Sequence, residues 1–338
     1  MPTPTLPRKG DIIPEPQLDD AVHAVQLHAL SLGMIPIAGV MSRRVGKPRE
    51  RLHEILGFGF NHLAEGIPGI HGETGAVMNT GRLERGAGYR DVIATSSLNP
   101  CPFCQRTLAC HLGCSEIRIL DTQNYKPDLA SYKTVGLKPT LLHHQPTADT
   151  FRKWVADPAN STLWSRDIGL YEVPTIPPFD VARDPARTKR LMKLAHQKAA
   201  EGLAAGEAPI GAVICDPWGE VLSAGHARVV ADNDPSCVAA MASWRACGAR
   251  DHWKDKTLFL TVGPDHIAYA MFHIFNFGQL VVASDAVFPG QLPAIRSLGK
   301  PTHVLRDRTS DLPLKSWLKR ESPDRVREYL GADYHVRA

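Results

Sequence analysis

Two short stretches of this chain nearly repeat each other: Pro36-Ile37-Ala38-Gly39-Val40 and Pro209-Ile210-Gly211-Ala212-Val213. Around each, the hydrophobic spacing runs through the same order of elements, and this repetition constrains the fold more than any property of composition. In the first half, apolar residues at Leu18, Val22, Val25 and Leu32, stopped by Gly33, predict an amphipathic helix. Apolar runs over 35–40 and 55–60 predict buried strands. A helix over 72–83, a strand over 91–97, a helix over 101–112 ended by Gly113 and a strand over 116–121 complete an α-β-β-α-β-α-β series. The three prolines between Tyr171 and Asp180 cannot continue a helix and favour an extended path. Beyond them the order restarts, with a helix over 186–205, a strand over 209–213, a turn at 216–219 and a strand ending near Gly225. A helix over 236–247, a strand over 257–262, a helix over 265–275 and a strand over 280–283 follow. The expected organisation is a first domain over 1–170, a linker over 171–185 and a second domain over 186–338. Helices inserted between strands of a single sheet, with one hairpin at its start, predict tandem three-layer α/β/α domains, each a mixed sheet with helices on both faces.

Composition removes several function classes. The 39 Lys+Arg and 35 Asp+Glu leave a net charge of +4, divided almost equally between the halves, which argues against a nucleic-acid partner. Residues 1–17 are proline-rich without an apolar run, so no signal or transit peptide is expected and the protein is read as cytoplasmic. The most apolar stretch, Ile267 to Phe288, is interrupted by His273, Asn276, Gln279 and Asp285, which suits a buried helix and strand rather than a membrane span. Seven cysteines, an odd number without a secretory signal, do not suggest a disulfide framework. Four of them crowd into residues 101–114, whereas Cys215, Cys237 and Cys247 are scattered.

That crowding coincides with a pattern that carries chemistry. His71-Gly72-Glu73 opens one predicted helix, and Pro100-Cys101-Pro102-Phe103-Cys104 opens the next. Two thiolates three residues apart at a helix N-terminus, joined by an imidazole, supply three ligands for Zn²⁺ and leave a fourth position open, as a catalytic zinc requires. A glutamate two residues past the histidine can reach a metal-bound water without ligating, and H-x-E followed by P-C-x-x-C is the pattern of zinc deaminases. Alone, the Cys pair could equally be a zinc knuckle, a redox pair or a helix cap; the ordered combination favours one Zn²⁺ per chain, on His71, Cys101 and Cys104. Cys110 and Cys114 lie further along that helix and are read as packing residues.

Residues 71–114, including His-Gly-Glu, the following Gly81-Arg82-Leu83 and Asn99-Pro100-Cys101-Pro102-Phe103-Cys104, resemble the fungal-type cytosine deaminases of the cytidine deaminase superfamily. The resemblance spans roughly 18–170. It implies that Asn61, in Gly57-Phe58-Gly59-Phe60-Asn61, and the backbone of Gly72 hold the base, and that Ile37 and Leu98 line its pocket. It further implies that Tyr125 and Trp164 close over the ring and that Asp167, in Trp164-Ser165-Arg166-Asp167-Ile168-Gly169, accepts from the exocyclic amine. Glu73 would then carry protons during hydrolytic deamination of a small aminated heterocycle, cytosine giving uracil and ammonia. The chain departs from that family at Tyr125, where phenylalanine is usual, at Ala38, where glycine is expected, and at Asn99, where serine or glutamate is usual. These departures keep open a guanine-like base or a specialised metabolite, and a tRNA-editing deaminase is a further rival. The basic run Arg43, Arg44, Lys47, Arg49 and Arg51 is read as a solvated hairpin in preference to a phosphate-binding patch.

The second half keeps the order of elements and not the ligands. Val238 and Ala240 stand where His-x-Glu is expected, Asp265 and Ala268 where the cysteines are expected, and Ala227 in place of the asparagine. It is expected to be a degenerate, non-catalytic domain. Because fungal-type cytosine deaminases are dimers, the resemblance implies that it pairs within the chain as a tethered partner; further self-association is left open.

Overall fold

The computed structural model describes residues 5–83, 88–167, 176–248, 252–332 and 334–336, with Asp167 described by its backbone alone. The chain divides into two compact units, Met1–Asp167 and Ile168–Ala338. The first contains β1 (Ile12–Pro14), α1 (Gln17–Ser31), β2 (Ala38–Val45), β3 (Leu52–Phe60), α2 (Gly72–Thr80), β4 (Val92–Ser96), α3 (Pro102–Arg106), β5 (Glu116–Ile119), α4 (Leu129–Val135), β6 (Lys138–Leu141), α5 (Gln145–Val155) and α6 (Pro158–Asp167). Its strands lie in the order β1-β3-β2-β4-β5-β6, antiparallel up to the β2/β4 pair and parallel from β4 onward.

The second unit contains α7 (Pro185–Ala204), β7 (Gly211–Cys215), β8 (Val221–His226), α8 (Ala239–Ala246), β9 (Thr257–Leu260), α9 (His266–Ile274), β10 (Gln279–Val282), α10 (Leu292–Ser297), β11 (Thr302–Val304), α11 (Asp311–Arg320) and α12 (Pro323–Leu330). Its sheet runs β11-β10-β9-β7-β8, again with one antiparallel hairpin followed by parallel strands. Both sheets are mixed and flanked by helices. In the first unit Leu18, Val22 and Val25 of α1 pack with Val40 and Ile55 on one face, while Met41 and Leu56 pack with Ala76 and Val77 of α2 on the other.

The two sheets share their irregularities. Between β2 and β3 the register slips by one residue, leaving Leu56 extra; between β7 and β8 the slip occurs at the corresponding step, leaving Leu222 extra. Such a bulge turns the strand locally and re-aims the side chains that follow. The Ala38 N–H donates to Ser97 Oγ at 2.8 Å, and in the second unit the Gly211 N–H donates to Thr261 Oγ1 at 3.1 Å. The parallel strands agree as well: Leu120 N–H donates to Ser96 O at 3.0 Å, as Ala283 N–H does to Leu260 O at 2.9 Å.

Some boundaries differ from the sequence expectations, for local reasons. The strand expected over 35–40 begins only at Ala38, because Pro36 has no N–H and Ile37 N–H turns back to Ile35 O at 2.7 Å. The helix expected over 72–83 stops at Thr80, where Gly81 adopts φ 76° and its N–H caps Val77 O. The helix expected over 101–112 starts at Pro102 and widens into a π turn over Thr107–His111. The helix expected over 236–247 begins at Ala239.

Of the segment expected to link the halves, residues 171–175 lie outside the described residues. Beyond them, Phe179 and Val181 are buried in the second unit's core with Leu191, Phe259 and Val281, and Gln279 Nε2 donates to Phe179 O at 2.9 Å. The later part of that segment is therefore packed structure. The basic run is the β2/β3 hairpin, and three of its four arginines are engaged in ion pairs: Arg43 with Asp91, Arg44 with Glu116 and Arg51 with Glu15. No described helix is long and apolar enough to cross a membrane.

Candidate active site

Close backbone packing puts α2 where its first turn can meet α3. A Cβ on Gly59 would stand 2.2 Å from the Gly75 carbonyl carbon, and one on Gly72 would stand 2.9 Å from that of Ala38, so the helix lies directly on β2 and β3. His71 caps α2 in an extended conformation; its own N–H donates to Thr74 Oγ1 at 2.8 Å, and that hydroxyl donates to Gly69 O at 2.9 Å. Cys101 caps α3, with Pro102 in the first helical position, where its missing N–H costs nothing. Gln105 Nε2 ties the turn together by donating to Pro100 O at 2.9 Å.

These caps bring three ligand atoms together. His71 Nδ1 lies 3.3 Å from Cys101 Sγ and 3.5 Å from Cys104 Sγ, and all three side chains are buried. Among the described residues this is the group whose ligand atoms all fall within 4.8 Å of one another. Zn²⁺ with Zn–S bonds of about 2.3 Å and a Zn–N bond of about 2.0 Å in a tetrahedral arrangement separates nitrogen from sulfur by about 3.5 Å, so the cluster fits that ion closely. Burial opposes ionisation of Cys101, but hydrogen bonding from Cys104 and the His71 ring overcome it and hold that thiol well below its usual range. Burial and the Cys101 thiolate push Cys104 the opposite way. A bound cation would displace the protons of both thiols.

Glu73 faces this cluster from the first turn of α2, 2% exposed, and Ser96 Oγ at the end of β4 donates to its Oε1. Burial raises the Glu73 carboxyl above its ordinary value, against the lowering effect of that hydrogen bond.

The residues expected to bind substrate separate into groups. Ile37, Leu98, Tyr125 and Trp164 gather in one apolar cluster. Tyr125 and Trp164 meet edge to face, with centroids 5.6 Å apart. Burial, then the Cys101 and Cys104 charges, push the Tyr125 hydroxyl up to about 12. Asn61 follows β3, fully buried, with its Oδ1 accepting from Leu63 N–H at 2.9 Å. Gly72 opens α2 beside Glu73. The Asp167 side chain, with Ile168 and Gly169, lies outside the described residues. Asn99 is committed to the frame: its Oδ1 accepts from Tyr132 Oη at 2.5 Å.

Three neighbours escape the sequence reading. Ser96 is hidden because a serine in a short apolar strand looks like an ordinary ladder residue. Phe151 and Trp154 join the aromatic cluster from α5, Phe151 against Trp164 at 5.2 Å. Their helical spacing with Thr147 and Ala148 was visible in the sequence.

Comparison with known proteins adds to this geometry from the other unit. The sequence model of the cytidine and deoxycytidylate deaminase zinc-binding region matches residues 185–283, which exclude His71, Cys101 and Cys104. None of the curated proteins matches the sequence significantly. Similar solved structures include a tRNA:A34 deaminase, 21% identical over 37% of this chain and 99% of its own, with a TM-score of 0.34. Guanine deaminase from Bacillus subtilis is 21% identical over 40% of this chain and 95% of its own, TM-score 0.27. The dCMP deaminase of the cyanophage S-TIM5 is 15% identical over 38% of this chain and 99% of its own, with a TM-score of 0.27. The family pattern thus falls on the second unit, and the buried His/Cys/Cys cluster that fits Zn²⁺ on the first. 

Proposed function

We propose that the first unit catalyses zinc-dependent hydrolytic deamination of a free nucleobase, with cytosine giving uracil and ammonia. The observation that carries this reading is the buried His71/Cys101/Cys104 cluster with Glu73 in the adjoining helical turn and an apolar aromatic wall beside it. The deaminase match over 185–283 supports it, because the two sheets share their bulge and their cross-strand hydrogen bonds.

Held by His71, Cys101 and Cys104, Zn²⁺ supplies the Lewis acidity that makes water nucleophilic near neutral pH. Glu73 accepts a proton from the attacking water and delivers it to the ring nitrogen beside the amine-bearing carbon. It then transfers the second proton to the departing amino group, so that one water is consumed and one ammonia leaves. Asn61 and the Gly72 N–H hold the polar edge of the base, and Asp167 accepts from the amine. Ile37 and Leu98 line the ring's pocket, while Tyr125 and Trp164 cover it and exclude water, which strengthens each polar contact.

The second unit is proposed as a non-catalytic partner. Register places Leu260 where the first unit has Ser96, and Gly225 where it has Gly59. Continuing from those anchors, Ala227 takes the place of Asn61, and Asp265 and Ala268 those of Cys101 and Cys104; matching the N-caps of α2 and α8 sets Val238 and Ala240 against His71 and Glu73.

The test is ammonia release, with loss of ultraviolet absorbance, from cytosine, cytidine and guanine incubated with zinc-analysed full-length protein. Turnover of cytosine is expected. Release from guanine instead would overturn the choice of base, and release from none of the three would overturn the reading.

A further inference from the structure

Two adjacent hydroxyls at the end of β4 behave differently in the two units. Ser97 Oγ accepts from the Ala38 N–H, and its counterpart Thr261 accepts from the Gly211 N–H, so this hydroxyl serves the sheet in both units. Ser96 is fully buried and donates to Glu73 Oε1. Across the paired strands Gly39 faces Ser96 and Ala212 faces Leu260, so the second unit has an apolar side chain at that position. It also lacks the glutamate, having Ala240 there. The sheet-serving hydroxyl is present in both units, whereas the hydroxyl that meets the carboxylate occurs only where the carboxylate occurs.

We propose that Ser96 is the positioning residue for Glu73, holding Oε1 as an acceptor so that the carboxylate is fixed in one orientation for proton transfer. The inference rests on the deaminase reading above. A buried carboxylate on a flexible stem has several rotamers, and each unproductive one subtracts from the rate; a fixed donor removes them before substrate arrives. With Ser96 assigned to the carboxylate and not to the base, its loss acts on kcat and not on substrate affinity.

The test compares full-length wild-type protein with Ser96→Ala and Ser96→Thr for ammonia release over a range of cytosine concentrations, with zinc content and thermal unfolding followed in parallel. A hydrogen bond to a charged group is worth enough that Ser96→Ala should lower kcat about tenfold to a hundredfold, with KM changed less than about threefold and zinc retained. Ser96→Thr, which keeps the donor, should recover most of that rate. A wild-type kcat in Ser96→Ala, a loss expressed in KM or in zinc content, or a Thr variant no faster than the Ala variant overturns the positioning role. Wild-type protein that releases no ammonia overturns the deaminase reading itself, a result distinct from any behaviour of the variants.

Discussion

At the N-terminus of α2 the first unit places His71 and Glu73, and at the N-terminus of α8 the second places Val238 and Ala240, both buried. At the next helix Cys101 caps α3 with its thiol turned to the metal cluster, whereas Asp265 caps α9 through a carboxylate that accepts from Ala268 N–H at 2.8 Å. In one unit the cap position faces a cation site, and in the other it satisfies the helix it begins. The difference teaches that the frame does not depend on the chemistry. The bulge, the hydroxyl that receives the Ala38 or Gly211 N–H, and the parallel register are present in both units.

Four sets of variants would break or sharpen this contrast. Glu73→Gln should lower turnover about 10²- to 10⁴-fold while zinc content and unfolding temperature stay near those of wild type; unchanged ammonia release would mean that the cluster is structural. Removal of residues 186–338 should leave an insoluble or inactive first unit, and a soluble fragment with full turnover would refute the partner role of the second. Gly59→Ala drives a methyl to 2.2 Å of the Gly75 carbonyl carbon, whereas at the equivalent Gly225 the nearest atom is Ser243 Oγ at 3.2 Å. Chemical denaturation should therefore show a loss of about 3 kcal/mol for Gly59→Ala and distinctly less for Gly225→Ala, and equal losses would contradict the tighter packing of α2. Ser97→Ala and Thr261→Ala each leave a buried N–H without its acceptor, and each should cost about 1–3 kcal/mol by the same measurement. A cost in one unit alone would show that the shared hydroxyl is not equivalent in the two.

Much of the site was legible because its residues sit at short, fixed spacings. His71 and Glu73 share one helical turn, as do Cys101 and Cys104, so no knowledge of the tertiary fold is needed to pair them. The central strands were visible through runs such as Ile55-Leu56 and Ile117 to Leu120, which are buried on both faces. The edge of the first sheet was not: β6 is mostly exposed and β1 spans only Ile12–Pro14, so neither carries an apolar pattern. Near the site, Ser96 acquires meaning only through a partner in another element, and no local period could show that. The early end of α2 was a matter of Gly81, whose positive φ stops the helix before Leu83.

The central claim, that the chain holds one zinc and holds it in the first unit, is tested most directly by elemental analysis of full-length protein beside Cys104→Ala and Asp265→Ala. One zinc per chain is expected in wild type and in Asp265→Ala, and none bound tightly in Cys104→Ala. Two zincs per chain, or zinc retained in full by Cys104→Ala, would contradict it.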